Sequence, residues 1–298
     1  MTTQTPKPSI YRIWWMAIRP KTLPASTAGV IAGSALAFKD GVFQPLPALA
    51  ALIVAVCLQI GSNLANDVFD FERGTDAARK FGPLRVTQSG LLAPGQVKAG
   101  MLVVFAIAAL CGLYLALQVG WAAIWIGLAA IVSAIAYTGG PFPLGYYGLG
   151  DVFVFIFFGM AAVAGTYWVQ AGTVSLAAWW MSLPVGLIIV GILVVNNLRD
   201  IDSDRLGKKH TLAVRFGERF TKGQYLLCIM GAYLSLVVFV AVGLVPAWAL
   251  LAWLSLPLAW KNLRIVYTKK ESALNAALAG TGQLSFLFSL LFAVGVLL

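Results

Sequence analysis

Charge is scarce in this chain. Asp, Glu, Lys and Arg make up only 11% of its 298 residues, against roughly 25% in an ordinary soluble domain, a deficit that excludes a soluble fold for most of the sequence. Cysteine is also rare. Cys57, Cys111 and Cys228 are odd in number, lie inside apolar stretches and show no metal-ligand spacing, so neither a disulfide framework nor a zinc site is expected, and they read as buried thiols. No small-residue cleavage pattern follows the apolar stretch beyond Lys21, so no cleaved signal peptide is expected, and the polar N-terminus through residue 10 is expected to lack fixed structure.

Apolar residues are what the chain has most of, at 60%, with a mean hydropathy of +0.86. Nine segments are long enough to cross or nearly cross a hydrocarbon layer of about 30 Å, at approximately 22–38, 47–66, 99–119, 121–138, 152–170, 176–197, 224–243, 245–260 and 275–298. The expected architecture is therefore all-α, a polytopic bundle of nine transmembrane helices forming a single unit over residues 1–298. In that arrangement 20 of the 21 Lys and Arg residues fall on one side and only Lys39 on the other, which predicts an N-in, C-out topology because cationic loops stay cytoplasmic. The net charge of +10 then needs no nucleic acid to explain it, since a basic face beside anionic lipid or an anionic substrate suffices.

The few acids are concentrated. Seven of the 11 lie in two tracts, Asp67, Asp70, Glu72 and Asp76 after the second segment, and Asp200, Asp202 and Asp204 after the sixth. Asn63, Asn66, Asp67 and Asp70 stand at helical spacing, as do Asn196, Asp200 and Asp204, so each set shares a helix face at the same end of the bundle. The pairs Asn66/Asp70 and Asn196/Asp200 correspond, which suggests a repeated four-helix unit with a ninth helix added. Packed carboxylates at a membrane boundary need compensating cations, and Mg²⁺ is commonly held by one or two carboxylates while substrate phosphates fill its other positions. Arg73, Arg85, Arg199, Arg205 and Lys208 would donate to phosphate oxygens. Two other readings stay open: solvated loops whose acids offset a basic face, and a cation-coupled transporter, although transporter sites lie nearer the midplane.

The motifs Asn66-Asp67-x-x-Asp70 and Asp200-x-x-x-Asp204 resemble those of the UbiA superfamily of intramembrane aromatic prenyltransferases. Within it, the stretches Arg19–Pro24, Gly82–Gly90, Tyr137–Asp151 and Asn196–Gly217 look like those of the enzymes that prenylate 1,4-dihydroxy-2-naphthoate. The resemblance implies an enzyme of the inner (cytoplasmic) membrane whose site faces the cytoplasm, Mg²⁺ as cofactor, and polyprenyl diphosphate and an aromatic acid as substrates. It implies metal ligands among Asp67, Asp70, Asp76, Asp200 and Asp204, and Tyr137 with those motif acids in the catalytic set. Substrate binding would draw on Arg19, Lys21, Asn63, Asn66, Arg73, Arg85, Gln88, Asn196, Asn197, Arg199, Arg205, Lys208 and Lys209. One departure is that the usual third Asp, four residues after Asp70, is Gly74, with the next acid at Asp76. Arg19, Lys21 and Arg85 are candidates for the acceptor carboxylate, or serve only as cytoplasmic anchoring charges. Tyr146 and Tyr147 could line the site or anchor at the interface, and His210, in a basic loop, reads as solvated. 4-Hydroxybenzoate remains an alternative acceptor.

Overall fold

The computed structural model describes residues 8–75, 81–82 and 84–298, and the described residues form helices and connecting turns with no strand. After Ser9, whose side chain accepts the Arg12 amide, come α1 (Ile10–Ile18), α2 (Leu23–Lys39), α3 (Pro45–Glu72), α4 (Pro94–Val119) and α5 (Ala122–Ala136). The helix Gly150–Ala171 comprises α6 (Gly150–Val154), a π-helical run (Phe155–Ala161) and α7 (Ala162–Ala171). Then follow α8 (Leu176–Arg199), the short α9 (Ile201–Leu206), α10 (Leu212–Ala241), a 3₁₀ stretch (Ala247–Ser255) leading into α11 (Leu256–Thr268), and α12 (Leu274–Leu297). Helix α1 begins at Ile10, the last residue of the segment expected to lack fixed structure, and residues 1–7 of that segment lie outside the described residues.

Among the described residues six helices are long and apolar enough to span a bilayer: α3, α4, Gly150–Ala171, α8, α10 and Glu271–Leu297. The other segments picked out by hydropathy are helical too, but shorter or partly 3₁₀. Leu102, Leu110 and Leu117 on α4 point outward, an apolar face suited to lipid. Cys57 and Cys228 are buried as expected, whereas Cys111 is half-buried at the edge of a small cluster with Leu115 and Val169.

The core gathers around α8, where Met181, Val185, Ile188 and Val195 pack with α2, α10 and α12. Close crossing needs small residues because lipid supplies no hydrophobic drive between helices. A Cβ on Gly159 would come within 2.9 Å of the Gly186 Cα, so the π-helical run and α8 meet backbone to backbone. Where α10 leaves the bundle end its path bends at Gly217, with φ 81° and ψ 179°, a conformation that glycine tolerates. A second cluster, including Ile13, Leu64, Val68, Val86 and Phe105, fixes α1, α3 and α4 and the turn following residue 84. These two bodies of apolar packing hold the ends of α3 and α8 side by side.

Candidate active site

Helix α3 stops at Glu72 because Gly74, at φ 71°, takes the left-handed conformation that ends a helix. Asn66 and Asp70, one turn apart near that end, face a cavity of about 90 Å³. Asn196, Asn197 and Asp200 enter it from the end of α8, and Asp204 from α9. Arg19, Arg85, Tyr137 and Lys209 complete the expected residues that line it. Ligand pockets for drug-sized molecules run to about 300–1,000 Å³, so this space suits a compact charged group rather than two organic substrates.

Asp70 is enclosed by donors. Arg85 Nη2 and the Tyr146 hydroxyl each lie 2.6 Å from one of its oxygens, and Lys209 Nζ is 3.3 Å from both. Arg85 also donates to the Asn66 carbonyl, and Thr138 donates to the Asn66 side-chain oxygen at 2.9 Å. Asp67 does not line this cavity. Its two oxygens accept the backbone amides of Val86 (3.1 Å) and Thr87 (3.0 Å), it is 1% exposed, and Arg19 stands 3.9 Å away. The reason is helical geometry: at about 100° per residue, Asp67 sits about 60° around the helix from Asp70. The motif's two acids therefore do different work: Asp67 ties down the turn that delivers Arg85.

The second motif is interrupted, since α8 ends at Arg199 and α9 begins at Ile201. Asp200, at φ −97° and ψ 9°, stays close enough to helical that the Asp204 amide still bonds its carbonyl at 2.7 Å, so both carboxylates keep one side. Asp202 points into solvent and pairs with Arg205 at 3.6 Å. Arg199 is buried and grips Asp200 through Nε and Nη2 at 2.7 and 2.5 Å, with Asn196 and Asn275 each at 2.8 Å. It is a clamp on a motif acid, not a residue lining the cavity.

Several expected residues are not brought together. Asn63 donates to the Ile18 carbonyl and the Thr22 hydroxyl, both at 3.0 Å, tying α3 to the chain before α2. Arg73 donates to the Gly140 carbonyl and lies over the Tyr146 ring. Lys21, Gln88, Arg205 and Lys208 are exposed away from the cavity, and Asp76 lies outside the described residues. His210 is exposed, as its loop suggested.

Thr75, Thr138, Ser203 and Thr211 line the cavity without having been singled out, and Tyr146 separates clearly from its neighbour. Tyr147 stacks on Phe142 with centroids 3.9 Å apart at the rim, whereas Tyr146 is buried with its hydroxyl on Asp70 and 3.1 Å from Thr75. Burial, reinforced by Asp70, pushes the Tyr146 pKa up, so this hydroxyl keeps its proton and donates it. The signal available in sequence was its place opposite the Asp tracts, which Tyr147 shares.

Three carboxylates and three cations line the cavity: Asp70, Asp200 and Asp204 with Arg19, Arg85 and Lys209. Among the described residues no three His, Cys, Asp or Glu side chains converge on one point as a self-sufficient metal cage. The donor set of separated carboxylates and Asn amides matches a hard ion that takes the rest of its ligands from phosphate and water, which fits Mg²⁺.

Residues 26–290 match the UbiA prenyltransferase family. The chain belongs to that family. Among curated UbiA relatives, 1,4-dihydroxy-2-naphthoate octaprenyltransferase of Escherichia coli (strain K12) is 39% identical over 292 residues, covering 96% of this chain and 95% of that protein. The Bacillus subtilis (strain 168) protein of the same name is 30% identical over 300 residues, covering 99% and 96%. Solved UbiA homologues share the fold: the apo protein from Aeropyrum pernix K1 superposes with a TM-score of 0.67 at 15% identity, over 97% of this chain and 98% of that one. The Archaeoglobus fulgidus homologue bound to GPP and Mg²⁺ gives 0.65 at 12% identity, over 96% and 100%. This UbiA chain is thus an integral membrane prenyltransferase.

Proposed function

We propose that the protein transfers a polyprenyl group from polyprenyl diphosphate to 1,4-dihydroxy-2-naphthoate with loss of the carboxyl group, the step that yields demethylmenaquinol. The observation that carries the reading is the near full-length similarity to proteins of that activity at 39% and 30% identity. The polar cavity between the two Asp motifs agrees with it. The chain acts as one unit in the inner (cytoplasmic) membrane, with nine spans, the N-terminus inside, the C-terminus outside and the cavity toward the cytoplasm.

Asp70, Asp200 and Asp204, with the amide oxygens of Asn66, Asn196 and Asn197, would hold Mg²⁺. When bound, Mg²⁺ supplies charge neutralisation to the diphosphate as it leaves. Arg85 and Lys209, which line the cavity, would donate to phosphate oxygens. The allylic C–O bond breaks with its electron pair on the diphosphate, and the acceptor ring carbon that bears the carboxylate bonds to the prenyl carbon. The bond from that ring to its carboxylate then breaks, its electrons restore the aromatic ring, and CO₂ departs. Arg19, which lines the cavity and is not needed for the phosphate, would hold the acceptor carboxylate beforehand, whereas the exposed Lys21 does not line it. Water would quench the electron-poor prenyl carbon, so the apolar bundle beside the polar cavity serves to exclude it.

Carboxyl-labelled naphthoate tests this directly. Purified protein with Mg²⁺ and a polyprenyl diphosphate should release one labelled CO₂ per prenyl group transferred. Label retained in the lipid product would reject the assignment.

A further inference from the structure

We infer that Lys209 keeps the metal's place on Asp70 and makes metal binding conditional on the diphosphate. The inference rests on the reading of the site given above. The Lys209 ammonium is equidistant from both Asp70 oxygens at 3.3 Å, in front of the carboxylate, where a cation using either oxygen must approach. The other two donors are of a different kind. Arg85 and Tyr146 each make one short bond of 2.6 Å from the side, and Arg85 is further fixed by the Asn66 carbonyl. The turn that carries Arg85 is itself held by Asp67. The long, forked contacts of Lys209 are the ones most easily exchanged.

The backbone on either side of Lys209 is fixed. Lys208 takes a left-handed conformation at φ 56° just beyond α9, the Lys209 amide bonds the Asp204 carbonyl at 2.8 Å, and the His210 amide bonds the Tyr146 carbonyl at 2.7 Å. Between these fixed points the side chain sets Nζ over the Tyr146 ring, 4.6 Å from its centroid. With three carboxylates matched by three cations, a divalent ion entering alone adds unbalanced positive charge to a confined site. When a diphosphate enters with it, the displaced ammonium gains phosphate oxygens as new partners a short swing away. Metal and diphosphate are then coupled through one side chain.

The test uses purified full-length protein in detergent, Mn²⁺ as an electron paramagnetic probe, and inorganic pyrophosphate. Lys209→Met keeps an unbranched side chain one atom shorter and removes the charge. It should bind Mn²⁺ alone about tenfold more tightly than the wild type, while its affinity for pyrophosphate in the presence of metal falls. Lys209→Arg should keep the wild-type order. Metal-alone affinity that is unchanged or weaker in a folded Lys209→Met protein overturns the inference. Should the Met variant fail to fold, Lys209→Gln makes the same comparison, and wild-type Mn²⁺ affinity that ignores pyrophosphate overturns the inference by itself. If the wild type shows no Mn²⁺ binding that Asp70→Asn abolishes, the site reading falls with it; Asp70-dependent binding without Lys209 dependence sinks only this inference.

Discussion

Asp67→Asn separates the two acids of the first motif. The carboxylate accepts one amide on each oxygen, from Val86 at 3.1 Å and Thr87 at 3.0 Å, in a place that is 1% exposed. Asparagine keeps one acceptor and turns an NH₂ toward the other amide, so one charge-assisted bond of about 1.5–3 kcal/mol is lost and a buried donor of about 1–3 kcal/mol is left facing another donor. Together these give an expected destabilisation of about 2.5–6 kcal/mol, centred on the turn that carries Arg85. Thermal unfolding in detergent should show a lower midpoint, and kinetics should show a raised KM for the prenyl diphosphate. The rise in midpoint on adding Mg²⁺ with pyrophosphate should persist, because Asp67 does not face the cavity. Asp70→Asn should lose that rise. A variant at Asp67 that abolishes the metal response while remaining as stable as the wild type would refute the assignment of Asp67 as an anchor.

Asp200→Asn should lower kcat by orders of magnitude and also lower the thermal midpoint, since it takes the anionic partner from buried Arg199, whereas Asp202→Asn, in solvent beside Arg205, should leave turnover and midpoint near wild type. Comparable mild losses at both positions would favour a solvated loop over a metal site. Cysteine-accessibility labelling in intact cells should find position 39 and the loop 172–175 reactive from outside and residues 81–82 and 84–93 protected; the reverse pattern would overturn the orientation.

Much of this protein was legible in its sequence because a bilayer imposes simple rules. Backbone groups in hydrocarbon must be satisfied within a helix, so apolar length marks α3, α4, α8, α10 and α12, and acids rare enough to stand out mark where α3 and α8 leave the apolar layer. Periodicity also identified Asn66 with Asp70, and Asp200 with Asp204, as pairs on one side, and set Asp202 apart. Helical spacing gives only a side of a cylinder, however, and a side about 100° wide holds both Asp67 and Asp70. What each acid meets comes from elsewhere in the chain: Val86 lies 19 residues from Asp67, Tyr146 76 residues from Asp70, and Lys209 139 residues from it. The turn of Arg199 onto Asp200, away from the cavity, depends likewise on Asn275 of α12, 76 residues on. Local spacing therefore determined which residues were available to the site. Long-range packing decided which carboxylates face the cavity and which partners they meet there, because a buried charge takes the partner that tertiary structure brings to it.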